Sequence, residues 1–179
     1  MGQEKAFILF EDEPLVVRLR NIMRGAVADI SIVGSPEKFP GFANVVEDRY
    51  KEAGPLGGIH AGLAVSGSEW NLFLAVDLPF MSSAFLRYLL AEAQTSSALV
   101  TVPRIGDIFQ PLCAVYRLGF LKIAGQALQA GHRRIDRLFG GQELRVIDLP
   151  EVKQEGFDIR IFTNLNTPRE LELARSNII

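Results

Sequence analysis

The sequence predicts an α/β fold, a three-layer domain in which a mostly parallel sheet carries helices on both faces. Two observations point there. Strand-length apolar runs alternate with segments of helical period along the chain, and the most apolar run, residues 70–76, is nearly continuous, the pattern of a strand covered on both faces. At 179 residues, 48% of them hydrophobic and 22% charged, the chain can bury one full core. No repeat, low-complexity tract or linker divides it, so one domain over residues 1–179 is expected.

Each element carries its own signal. Pro14 suits the first turn of a helix holding Leu15, Val16, Leu19, Ile22 and Met23, with Gly25 near its end. Residues 29–33 and 44–46 read as strands, the second running into Glu47 and Asp48. Gly54-Pro55 opens a further helix. Ser82 or Ser83 can cap the next one, through Phe85, Leu86, Leu89 and Leu90. Strands are expected over 98–102 and 112–116, and a shorter one over 144–147. Thr167-Pro168-Arg169-Glu170 is a capping box with proline at the first helical position, so a last helix should pass through Leu171 and Ala174.

Composition excludes several classes of function. A net charge of −2 supplies no broad basic face for a nucleic-acid backbone. The apolar runs are far shorter than a membrane span, and no basic region followed by an apolar stretch marks a secretory leader. Cys113 is the single cysteine, which rules out an internal disulfide and a cysteine-based metal cluster. The expectation is a reduced, soluble, cytoplasmic domain with neither nucleic acid nor membrane as partner.

Open parallel sheets bind ligands beyond the carboxyl ends of their strands. Asp77 stands there, after residues 70–76, where a carboxylate can hold a hard cation such as Mg²⁺ and leave positions for phosphate oxygens. An ordinary turn aspartate before Pro79 would look the same. Asp48 is a second strand-end carboxylate. Gly54-Pro55-Leu56-Gly57-Gly58 would let a backbone approach a ligand at a helix start, or simply make a Gly-Pro turn. Arg133 and Arg134, within Gly131-His132-Arg133-Arg134-Ile135-Asp136-Arg137, could grip an anion or lie solvated at a helix start. Asn164 and Asn166 flank Leu165 in a loop that turn chemistry alone would explain. Neither His60 nor His132 has metal-ligand spacing to a partner. Lys5 precedes an apolar run, as lysines beside phosphate loops do, and as solvated terminal lysines also do.

Taken in order, "MGQEKAFILFEDEPLV", "VVEDRYKEAGPLGGIHAGL", "WNLFLAVDLPFM", "GHRRIDRLF" and "FTNLNTPRELELA" resemble one family, the molybdenum cofactor guanylyltransferases, within the wider nucleotidyltransferases of Rossmann-like fold. The combination of GPLGGI, D-x-P-F after an apolar strand, and N-x-N-T-P-x-E-L is specific, although each piece alone is not. The resemblance implies transfer of GMP from GTP to the terminal phosphate of molybdopterin cofactor, with Mg²⁺ and with molybdoenzymes or cofactor-delivery proteins as further partners. It implies that Lys5 touches the GTP phosphates, Asp48 helps hold the nucleotide and Asp77 binds Mg²⁺. Gly34 and Gly54 fall at nucleotide-binding positions, and Arg133, Arg134, Asn164 and Asn166 on the acceptor side.

The family's signature begins earlier, with a strand ending L-A-G-G-x-S-x-R-M-G-x-D-K, and this chain picks up at the M-G, Gln3-Glu4-Lys5 standing for x-D-K. The leading strand and glycine loop are therefore expected to be absent, leaving residues 32–33 and 72–76 without a shared neighbour. Where many relatives carry asparagine at the end of the second strand, this chain has Gly34. A cytidylyl- or sugar-phosphate nucleotidyltransferase, and a non-catalytic nucleotide-binding module, are the alternatives.

Overall fold

The computed structural model describes residues 5–50 and 53–165. The expected helix at Thr167 and Asn166 lie outside the described residues, as do residues 1–4. Lys5–Phe7 form one 3₁₀ turn, and a short hairpin follows, strand β1 (Leu9–Phe10) against β2 (Glu13–Pro14). Its two loop residues, Glu11 and Asp12, both take positive φ, 50° and 65°. That is the left-handed geometry of a tight hairpin turn, here made without glycine. Helix α1 (Leu15–Arg24) starts directly after Pro14 and stops at Gly25.

Two strands then pair in parallel, β3 (Ile32–Val33) and β4 (Val45–Val46). The expected run of 29–33 shortens to its last two residues, because only Ile32 and Val33 find ladder partners. Helix α2 (Gly54–Val65) leads to β5 (Trp70–Leu74), and α3 (Ser83–Thr95) begins at Ser82, whose hydroxyl accepts the Phe85 N–H. Next come β6 (Val100–Ile105), the short β7 (Ile108–Phe109) and β8 (Cys113–Arg117). Helices α4 (Phe120–Gln129) and α5 (Asp136–Phe139), strand β9 (Leu144–Asp148) and helix α6 (Leu149–Gln154) complete the order, before a 3₁₀ turn at Ile159–Phe162.

The larger sheet runs β5-β8-β6, with β9 on the far edge of β6 and β7 folded back on the end of β6. Strands β5, β6 and β9 point the same way, and β8 runs against them. The reversal follows from length. The connection 106–112 is too short for a parallel crossover, which needs about a dozen residues or more. Side chains of β8 divide between two cores by the strand's period of two. Ala114 and Tyr116 pack with Leu56, Ile59 and Phe120 of α2 and α4, while Cys113 and Val115 pack with Phe85, Leu86 and Leu89 of α3. Helices thus cover both faces, which makes the three layers. None of the described helices is long and apolar enough to cross a membrane.

Strand β5 departs from the expectation in one respect. Phe73 reaches the α2 core, and Leu72 and Leu74 reach the α3 core, yet all five of its residues are only half-buried. Among the described residues, β5 pairs with β8 alone and β3 with β4 alone, so each strand keeps an open edge. Both edges lie near α2, because a Cβ at Gly62 would touch Phe73 at 2.8 Å and Val33 at 3.7 Å.

The register of β5 yields a test. The Leu118 N–H donates to the Glu69 carbonyl at 2.8 Å and the Ala75 N–H to Leu112 at 2.6 Å. Alternation along an antiparallel ladder then turns the Asn71 and Phe73 amides toward β8 and the Leu72 and Leu74 amides toward the open edge. In the 179-residue chain, hydrogen exchange should be slow at Asn71 and Phe73 and markedly faster at Leu72 and Leu74. Equal protection at all four amides would show that the edge is covered.

Candidate active site

The chain leaves β5 through Ala75 and Val76 and turns at Asp77. Two of the next backbone carbonyls are anchored. The Leu165 N–H donates to the Asp77 carbonyl at 2.9 Å, and Arg18 Nε donates to the Pro79 carbonyl at 2.9 Å. Leu165 is buried with Phe10 and Leu15, against Val76 and Phe80, so the C-terminal stretch and the hairpin grip this loop from apolar contacts as well. Between β5 and α3, over residues 75–82, Asp77 is the one charged side chain the loop carries.

Lys5 meets that carboxylate. Its Nζ stands 3.8 Å from Asp77 Oδ2, with the lysine side chain 42% exposed and the aspartate 20%. A pair this long and this wet contributes roughly 0–1 kcal/mol. An anion drawn to Lys5, or a cation drawn to Asp77, can separate them at little cost. Ala6, beside Lys5, is buried with Val16 and Phe39 against Ile32, Val45 and Val76. The Lys5 turn, the β3–β4 pair and the chain running into Asp77 therefore share one small core.

Asp48, two residues beyond β4, sits against the first turn of α2. Its Oδ1 accepts the Tyr50 N–H at 2.8 Å, and a Cβ at Gly57 would lie 2.4 Å from its Oδ2. Glycine leaves the carboxylate this place, where the partial positive charge of a helix start favours it, and any larger residue would push it aside. Gly54 opens the helix at φ 63°, a conformation that β-carbons resist. At Gly34 the N–H donates to the Val46 carbonyl at 2.9 Å, and a Cβ would lie 2.6 Å from Phe39 Cε2. The buried Phe39 ring thus fills the space a side chain at 34 would need.

The remaining candidates divide. Asn164 is exposed and next to Leu165, so the hydrogen bond to Asp77 carries it toward the site. Arg134 holds Asp136 with two hydrogen bonds, 3.2 and 2.6 Å, which keep the Asp136 carboxyl below its ordinary range. That is the solvated helix start, while Ile135 and Phe139 beside it belong to the core that includes Ala53 and Leu56. His60 packs edge-on against Tyr50, with ring centroids 5.1 Å apart. Burial lowers its pKa, partly opposed by the charge of Asp48. It is a packing residue.

Sequence reasoning missed Arg18. It lies on an amphipathic helix at a position that reads as solvated, and nothing local signals that it reaches Pro79. No group of three or more histidine, cysteine or acidic side chains gathers among the described residues. A single strand-end carboxylate beside a lysine does not suit zinc. It does suit Mg²⁺, which takes one or two carboxylates and fills its other positions with water and phosphate oxygens.

Residues 1–146 match the model of the MobA-like NTP transferase domain family. A probable molybdenum cofactor guanylyltransferase of Pelotomaculum thermopropionicum is 31% identical over 179 residues, covering 98% of this chain and 85% of the relative. A molybdenum cofactor guanylyltransferase of Desulfosudis oleivorans is 29% identical, with 99% and 88% covered. The crystal structure of molybdopterin-guanine dinucleotide biosynthesis protein A from Archaeoglobus fulgidus superposes with a TM-score of 0.84 at 23% identity, covering 99% of this chain and 91% of that one. That likeness establishes the fold, a Rossmann-like α/β architecture.

The contact at Gly57 is directly testable. Alanine is intrinsically the better helix former by about 1 kcal/mol. Here its Cβ would also press on Ala53, at 3.0 Å, as well as on Asp48. Gly57→Ala should therefore lose about 1–3 kcal/mol of stability and speed exchange of the Tyr50 amide, which depends on the Asp48 carboxylate. A variant as stable as the parent, with an unchanged Tyr50 amide, would show that the carboxylate has room to yield.

Proposed function

The chain belongs to the family of MobA-like NTP transferase domains, and on that premise we propose that it transfers GMP from GTP to the terminal phosphate of molybdopterin cofactor, giving the guanine dinucleotide form and pyrophosphate. A terminal phosphate oxygen of the acceptor attacks the α-phosphorus of GTP. The new P–O bond forms as the bond from the α-phosphorus to the bridging oxygen breaks, and the electron pair leaves with pyrophosphate. Such a step asks little covalent help of a protein; positioning and charge neutralisation carry most of it.

The observation that carries this reading is the loose contact of Lys5 with Asp77 at the exit of β5, 3.8 Å apart. Lys5 neutralises charge building on the departing pyrophosphate. Asp77 holds Mg²⁺, which when bound supplies further positive charge at the phosphate oxygens. Asp48 and the backbone at Gly34 and Gly54 hold the nucleotide. Gly34 has no side chain and Phe39 fills its space, so no side chain at this position contacts the base or ribose. Arg133, Arg134, Asn164 and Asn166 are assigned to the molybdopterin acceptor by the family resemblance, Arg134 from a helix start where it holds Asp136. The setting is the cytoplasm, with molybdoenzymes or cofactor-delivery proteins receiving the product, and with no nucleic acid or membrane engaged.

Two measurements test the proposal. With GTP, Mg²⁺ and molybdopterin, Asp77→Asn should slow GMP transfer by about 100-fold or more while the melting temperature changes little, since a partly exposed carboxylate is replaced by its isostere. Wild-type turnover in that variant would remove Asp77 from the reaction. GTP should also outcompete CTP for the free protein. Equal affinity for the two would favour the cytidylyl alternative.

A further inference from the structure

We infer that Arg18 is a positioning residue that sets the separation of Lys5 from Asp77. This rests on reading those two groups as the phosphate and metal contacts of the site. One guanidinium touches the Asp77 loop and the hairpin that directly follows the turn carrying Lys5. Nε donates to the Pro79 carbonyl at 2.9 Å, two residues beyond Asp77, and Nη1 donates to Glu11 Oε2 at 2.7 Å, in the turn of the hairpin that follows Lys5–Phe7. Its Cζ also lies 4.9 Å from the centre of the Phe10 ring, and Phe10 meets Phe80 edge-on at 5.4 Å. Arg18 is thus wedged between the hairpin and the Asp77 loop, held on one side by a carboxylate and a ring and on the other by a backbone carbonyl.

The chemistry of the guanidinium suits this role. Its donors are fixed in one plane, so bonds to Pro79 and Glu11 set the distance between them, whereas a lysine ammonium on a flexible stem could satisfy only one at a time. The ion pair with Glu11, judged alone, is a surface contact of small effect. The part-buried end, on the Pro79 carbonyl, is what links it to the site. Glu11 holds its place at φ 50°, where a non-glycine residue is disfavoured, so the hairpin turn benefits from a partner that pins it. Arg18 touches no reacting group in this arrangement and acts through the loop and the hairpin.

The test reads metal binding rather than turnover. Mn²⁺ is titrated by electron paramagnetic resonance into protein with GTP and no acceptor, for the parent, Arg18→Leu, Arg18→Lys and Asp77→Ala, with a thermal melt of each. Outer contacts that orient a metal ligand typically change affinity about 10–100-fold, so Arg18→Leu should need about tenfold more Mn²⁺, with Arg18→Lys between it and the parent. Added guanidinium ion, far below denaturing concentrations, should restore part of the loss in Arg18→Leu. Should the leucine variant fail to fold, the lysine variant carries the test, since it keeps the charge and most of the stem. Parent-like titrations in the Arg18 variants, or losses that track only the unfolded fraction, overturn the inference while leaving Asp77 in place. Mn²⁺ binding beyond that of GTP alone, if it survives in Asp77→Ala, instead overturns the reading of the site itself.

Discussion

Strands β6 and β8 bury both of their faces, and that double burial governs where chemistry can occur. Val100, Val102, Ala114 and Tyr116 are turned to one core and Cys113 and Val115 to the other, all of them at most 1% exposed. No polar ligand can reach such strands from above or below without a large desolvation cost. Reactive groups are left to the chain segments that leave the sheet, among them the turn after β5, anchored at the Asp77 and Pro79 carbonyls. The helices that enforce the burial also supply the anchors: α1 sends Arg18 to Pro79, and the first turn of α2 seats Asp48.

The site combines a rigid frame with a weak central contact. The Asp77 loop is held through its backbone, by Leu165 and by Arg18, so the carboxylate need not be held by a strong partner of its own. Lys5 Nζ stands 3.8 Å from it. Were Lys5 and Asp77 the phosphate and metal contacts proposed above, charged ligands would displace their contact on every turnover while the loop geometry persists.

Local chemistry made much of this legible. Pro14 and Gly25 bracket α1, Ser82 caps α3, and Asp77 is recognisable because a carboxylate follows the most apolar run in the chain. Lys5 and Asp77 were each marked by position, and the structure brings them together. What stayed hidden depends on distant partners. Strand β3 keeps only two of its expected residues because β4 offers only two. The β1–β2 hairpin turns at Glu11-Asp12 rather than at the asparagine or glycine that usually signals such a turn. Helix α4 has Gly125 in its middle, which weakens the local signal, and that glycine is where His60 of α2 packs. Arg18 looks solvated until the Pro79 carbonyl is placed beside it.

The contact between Gly34 and Phe39 bears on how such a site can change over evolutionary time. A side chain at 34 would meet a buried aromatic ring 2.6 Å from its Cβ, so a residue other than glycine fits there only if the ring moves. A lineage gaining a polar group at 34 must first shrink position 39, passing through a form with a cavity, or accept overpacking of about 1–3 kcal/mol. Either intermediate is at a disadvantage. The two positions are therefore sterically coupled, and an asparagine-bearing relative with the same loop path should carry a smaller or displaced side chain where this chain has Phe39.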